Sequence, residues 1–145
     1  MFIGGKDNGK VFEYTLSTGF DVSTASFVDG FSISSQETHI SDLAFSTDGT
    51  KMFIVGTNST SVFEYNLSTG FDVSTASYVD GFSVSSQETL PTGLEFSADG
   101  KRMFITGNNG DDVTEYKLTT AFDVSTASHV GEFDVSSQEM QASSI

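Results

Sequence analysis

Apolar residues run unbroken through Met52-Phe53-Ile54-Val55 and stop over a polar stretch from Gly56 to Ser61. They then alternate, with Phe63, Tyr65 and Leu67 set against Glu64 and Asn66. The unbroken run predicts a short strand buried on both faces, and the alternation predicts a strand with two unlike faces. Upstream, Leu43-Ala44-Phe45 begins a first strand, and Thr47-Asp48-Gly49-Thr50 is an Asp-Gly hairpin signal. A longer connector, Ser68 to Ser77, leads to a fourth strand from Tyr78 to Val84, with Tyr78, Phe82 and Val84 predicted on one face. No window carries an apolar stripe long enough for a helix. Ser34-Ser35-Gln36-Glu37 fits a capping box, with Ser bonding forward and Glu bonding back. No apolar helical run follows it, so it predicts a single helical turn.

The same pattern recurs. Met1-Phe2-Ile3 returns as Met52-Phe53-Ile54 and Met103-Phe104-Ile105, a period of 51 residues without a gap. Glu13-Tyr14, the Phe20-to-Ser26 segment and the Ser-Ser-Gln-Glu turn keep the same offset. Four short strands at a period near 50 are the pattern of a propeller blade. One blade cannot cover both of its faces, so such units stack in arrays. A parallel β-solenoid fits less well, because its coils are shorter and seldom carry so regular an Asp-Gly hairpin. The expected fold is all-β: a β-propeller segment of four-stranded antiparallel blades, about three per chain. Residues 1–37 form a partial blade, 38–88 and 89–139 two full ones, and 140–145 the start of the next. Fewer than three complete blades do not close a ring. The expectation is therefore either a segment of a longer propeller or copies joined head to tail.

Leu43 to Val55, with its Phe45-Ser46-Thr47-Asp48-Gly49 core, resembles the blade opening of the YVTN and PD40-type propellers, and Leu94 to Thr106 repeats it with Lys101 in the Lys position. Those families carry Phe-Ser-Pro-Asp-Gly-Lys before an apolar strand. Here Thr47 and Ala98 replace the Pro. The resemblance implies the propeller fold. It implies no catalytic residues, since the family shares none, and its members include surface-layer, secreted and phage-associated proteins as well as a few enzymes.

Charge narrows the partners. The formal net charge is −14 at pH 7. Such a surface repels phosphate backbones and anionic headgroups, so neither nucleic acid nor membrane insertion is expected. Cysteine is absent, which excludes thiolate metal sites and a Cys nucleophile. The opening Met1-Phe2-Ile3-Gly4-Gly5 has no basic n-region and reads as no signal peptide.

No catalytic or metal-binding constellation is legible, and no cofactor is expected. His39 and His129 are out of register with each other, and each reads as a lone, solvated loop histidine. The recurring Asp21, Asp72 and Asp123 read as turn caps, and Glu37, Glu88 and Glu139 as capping-box members, in preference to calcium ligands. The copies differ mainly in two loop sets that a propeller places on one face. These are the loop between the second and third strands (6–10, 57–61, 108–112) and the blade-to-blade segment (39–42, 90–93, 141–144). From them Lys6, Asp7, Asn8, His39, Asp42, Thr57, Asn58, Ser59, Asn108, Asn109 and Asp111 are the candidate ligand-binding residues, as suppliers of hydrogen bonds to a glycan or protein. The expected function is a non-catalytic recognition or scaffolding module, extracellular, cell-surface or virion-associated, that also self-associates through its blade ends. The alternatives are a self-assembling filament or surface-layer unit, and part of a propeller enzyme of hydrolase or lactonase type whose catalytic residues lie in other blades.

Overall fold

The Asp-Gly hairpins close on the left-handed glycine they require. In a computed structural model, which describes every residue except Met140, Gly49 and Gly100 hold φ at 72° and 67°, a conformation strained for any residue with a Cβ. Asp48 locks its turn by accepting the Thr50 amide and the hydroxyls of Ser46 and Thr50. Led by the Thr50 amide, these bonds hold its carboxyl down at about 2.

The strands are β1 (Phe2–Gly4), β2 (Lys10–Leu16), β3 (Ala25–Ser32), β4 (Ile40–Phe45), β5 (Lys51–Gly56), β6 (Ser61–Leu67), β7 (Ala76–Ser83), β8 (Pro91–Phe96), β9 (Arg102–Gly107), β10 (Asp112–Leu118) and β11 (Ala127–Asp134). They form three antiparallel meanders, β1-β2-β3, β4-β5-β6-β7 and β8-β9-β10-β11. The fold is a partial β-propeller of about three blades. We call these the first, second and third blades.

The second blade is a slab between two cores. Met52, Ile54, Tyr65 and Leu67 pack with Val11 and Ile33 of the first blade. Phe53, Val55 and Val62 pack with Leu94, Met103, Ile105 and Tyr116 of the third. The unbroken run of β5 is thus buried on both faces, as its pattern requires. Of the polar residues of β6, Asn66 is exposed but Glu64 is buried against the third blade at 1% exposure. There its carboxylate pairs with Lys51 and accepts the Val124 amide at 3.0 Å. Lys51 also donates to the Phe122 carbonyl.

Two expectations are corrected. Tyr78 and Phe82 do not share a face, because a bulge in the β6–β7 pairing between Glu64 and Tyr65 shifts the register by one residue. Such a shift swaps the faces, so Tyr78 meets Tyr65 and Phe63 while Phe82 meets Tyr116 of the third blade. The Ser-Ser-Gln-Glu segment does make one turn, with the Gln36 and Glu37 amides on the Ile33 carbonyl. It is not a capping box, since Glu37 turns forward, as described below, and Ser34 bonds Ser32.

The long connectors hold 3-10 turns at Val22–Thr24, Val73–Thr75 and Val124–Thr126, each capped by its Asp accepting the second following amide. Asp21, Asp72 and Asp123 are therefore caps. Each turn after the first reaches back onto the preceding blade: the Val73 amide donates to Glu13 of the first, as the Val124 amide does to Glu64 of the second.

Candidate functional site

The two divergent segments do meet on one face. The β5–β6 loop of the second blade is clasped to the end of the first by Glu37, buried at 1% exposure. Its Oε1 accepts the Thr38 and His39 amides at 2.7 Å. Its Oε2 accepts the amide and hydroxyl of Ser59 at 3.0 and 2.6 Å. Burial alone raises a carboxyl, but these bonds, led by the Ser59 hydroxyl, outweigh it and hold Glu37 below its ordinary value. Glu88 repeats the clasp on Leu90, Asn109 and Gly110 amides. Gly56 and Gly107 make room for it, because a Cβ on either would sit 2.4 or 2.2 Å from a glutamate Cδ.

The clasp sorts the candidate residues. Asn58, Ser59 and Asn109 spend their polar groups on it, since the Asn58 and Asn109 amides donate to Thr38 and Thr89 across the same junctions. Asp42 accepts the Leu43 and Leu94 amides at 2.8 and 2.9 Å and so ties β4 to β8. Asp111 holds φ at 49°, and its Oδ1 is buried without a partner among the described residues. Asp7, Asn8 and His39 are exposed. His129 lies on β11 rather than in a loop and faces Glu132 at 3.3 Å.

The remaining candidates converge. Lys6, Thr57 and Asn108, the same position in three copies, line a cavity of about 440 Å3. Ser41, Thr92 and Ser143, again one position in three copies, line it with them, and Leu90 adds an apolar patch. The second trio was not among the candidate residues. The blade-to-blade segment was read as a loop, but Ile40–Asp42 and Pro91–Gly93 already belong to β4 and β8. Ser41 and Thr92 are the extra residues of bulges in those strands, and a bulge re-aims a side chain that regular pairing would place elsewhere. The offset of 51 within each trio was the signal available in the sequence.

The cavity offers hydroxyl and amide groups and one cation, Lys6. Ser41 Oγ has no partner among the described residues, which leaves a hydrogen-bonding group unspent beside it. Among the described residues no group of three or more His, Cys, Asp or Glu is placed to hold a metal ion.

Neither a family model nor a curated protein matches the chain. Solved structures do. A protein of Bacteroides uniformis named as a candidate 6-phosphogluconolactonase aligns over 90% of this chain and 36% of its own, at 12% identity and a TM-score of 0.63. The periplasmic gluconolactonase of Pseudomonas aeruginosa aligns over 92% and 35%, at 13% identity and 0.59. The Cps50 β-propeller domain of Myceliophteria thermophila aligns over 90% and 38%, at 14% identity and 0.57. This chain has the β-propeller fold. It spans little more than a third of the length of each of these structures. The expectation that it is not an enzyme is overturned by the same comparison. Two of the three carry lactonase names, so the fold gives no ground for setting an enzyme aside, and a fold shared at this distance does not assign one function.

Proposed function

We propose that the chain is a propeller module that recognises a polyhydroxylated ligand of the glycan class at the cavity lined by Lys6, Thr57 and Asn108. The observation that carries this reading is the convergence of two positions, each contributed by three copies, where the copies differ in residue type. Equivalent backbone positions carry Lys, Thr and Asn in one trio and Ser, Thr and Ser in the other. Three different donors around one cavity suit a ligand with several unlike oxygens. The resemblance to the YVTN and PD40-type propellers is compatible with it.

The lactonase names of two neighbours support a second reading, in which the bound sugar derivative is a lactone and is opened. Both readings share the ligand chemistry and the cavity. A printed oligosaccharide array tests recognition, and a pH-stat assay with gluconolactone tests turnover. Replacing Lys6 and Asn108 together by alanine lowers array binding at least about tenfold, as expected when two ligand hydrogen bonds are lost. Binding unchanged by that double substitution removes the cavity from the reading. Acid release from gluconolactone that the double substitution abolishes moves the reading from recognition to catalysis.

A further inference from the structure

The junction between the first and second blades and that between the second and third are built from the same contacts. In each, a valine amide at the start of a 3-10 turn donates to a β-strand glutamate: Val73 to Glu13 and Val124 to Glu64. In each, the phenylalanine two residues earlier reaches a phenylalanine of the preceding blade, Phe71 to Phe2 and Phe122 to Phe53. In each, a tyrosine hydroxyl donates to a glutamine on the preceding blade, Tyr65 to Gln36 and Tyr116 to Gln87. The same tyrosines meet Phe31 and Phe82 edge-on at 5.8 and 5.4 Å.

The outer face of the third blade carries the receiving half of this set, Phe104, Glu115, Phe133 and Gln138, and Phe133 is 72% exposed. Arg102 pairs with Glu115 there as Lys51 does with Glu64. The outer face of the first blade carries the inserting half, Tyr14, Phe20 and Val22. Phe20 is fully exposed and Val22 is 71% exposed, whereas Val73 and Val124 are at 0%.

A second feature joins the halves. The Thr92 hydroxyl donates to the Ala142 carbonyl at 2.8 Å, and a Cβ on Gly93 would lie 3.1 Å from Ser144 Cα. Residues 142–145 thus lie along β8 as β8 lies along β4. The outer edge of β1 is unpaired among the described residues, and an unpaired strand edge is a template for another strand.

We propose that a second copy of this chain docks head to tail, the outer face of its first blade on the outer face of the third. Residues 142–145 then pair with the partner copy's β1, in the register that β4 keeps with β5. Ile40 stands opposite Gly56 and Leu43 opposite Ile54, so Ala142 comes opposite Gly5 of the partner subunit and Ile145 opposite Ile3 of the partner subunit. The three-stranded sheet gains an inner strand, and Phe20 of the partner subunit covers Phe104.

The test is solution mass by light scattering over a concentration series, with one variant blocked at each end. Phe20→Asp blocks the head and Phe133→Asp the tail, and both side chains are exposed in the single chain, so folding is spared. Val22→Asp and Phe104→Asp are the second pair, with far-UV circular dichroism checking the fold of all four. The unmodified chain associates, as a closed pair or a growing series. Each blocked chain alone dissociates at least about tenfold more readily, as for loss of a central apolar anchor. A one-to-one mixture of a head-blocked and a tail-blocked chain forms a heterodimer, because each retains the half that the other lacks. An unmodified chain that stays monomeric up to about 1 mM, a blocked chain that associates like the unmodified one, or a mixture that stays monomeric each overturns head-to-tail docking.

Discussion

The second blade and the outer faces of its neighbours are written in nearly the same residues and have opposite fates. Val73 is fully buried and Val22 largely exposed, although both open the same Val-Ser-Thr turn after an aspartate cap. Glu37 and Glu88 are buried clasps at 1% exposure, whereas Glu139 is exposed and, among the described residues, accepts the Gln141 amide alone. Sequence sets what a residue is able to contact, and position in the stack sets whether it does. In a quasi-one-dimensional array stability sums a term within each blade and a term at each junction, and it is the junction term that the outer faces lack.

The sharpest way to break this comparison is to make one substitution at two equivalent positions. Phe53 lies against Phe96 and Phe122, with centroids 4.3 and 6.1 Å away, and is fully buried. Phe53→Ala is expected to cost about 3–5 kcal/mol, as a large cavity in a packed core does. Phe104→Ala, on the outer face, is expected to cost less than half of that when the chain is dilute and monomeric. Urea unfolding of the two variants measures both. Equal losses mean that the blades are stabilised individually and the junction account is wrong.

The clasp gives a smaller contrast with a pH signature. Glu37→Gln removes the charge that accepts four hydrogen bonds, and a loss of about 2 kcal/mol at neutral pH is expected for a buried charged acceptor. Glu139→Gln is expected to change stability little. Bonding to Ser59, Thr38 and His39 holds the Glu37 carboxyl below its ordinary value in the folded chain. Its contribution is therefore fully present above about pH 4.5, the ordinary glutamate range, and is lost as pH falls through the lowered folded value. The stability curves of the parent chain and Glu37→Gln should converge toward pH 3. A gap that stays constant from pH 7 to pH 3 shows that the charge is not what the clasp uses.

Much of this was legible in the sequence, for identifiable reasons. The blade and its strands follow from the switch between unbroken and alternating apolar runs, and the stacking from a period that repeats without gaps. The caps at Asp21, Asp72 and Asp123 follow from local chemistry, because an Asx turn needs only its own neighbours. What escaped depends on contacts between segments distant in sequence. Glu37 fits a local capping box equally well on paper, and only the arrival of Ser59 from another strand pair turns it forward. The faces of Tyr78 and Phe82 depend on a bulge, which leaves no mark on alternation until the partner strand is known. The cavity was half legible: Lys6, Thr57 and Asn108 stood out as differences between copies. Ser41, Thr92 and Ser143 were hidden because bulged strand starts read as loop.

The β-turn loops of the three copies offer the finest contrast, since they vary in sequence while keeping one backbone shape. Gly9, Thr60 and Asp111 occupy one position and hold φ at 55°, 48° and 49°. Only glycine adopts that region without steric cost, and a β-branched residue is the least suited to it. The Thr60 hydroxyl recovers little, since it bonds only the Ser59 carbonyl next to it. The Thr60 carbonyl accepts the Val84 amide at 3.0 Å, as the Gly9 carbonyl accepts that of Ile33 at 2.8 Å, so the backbone contact does not depend on the side chain. Thr60→Gly is therefore expected to stabilise the fold by about 1 kcal/mol through relief of the left-handed strain. The converse, Gly9→Thr, is expected to destabilise by more, because a Cβ on Gly9 would sit 2.7 Å from the Glu37 carbonyl oxygen. Thermal unfolding of both variants decides it. A Thr60→Gly chain less stable than its parent would mean that the threonine side chain supports the β5–β6 loop in a way its single hydrogen bond does not convey.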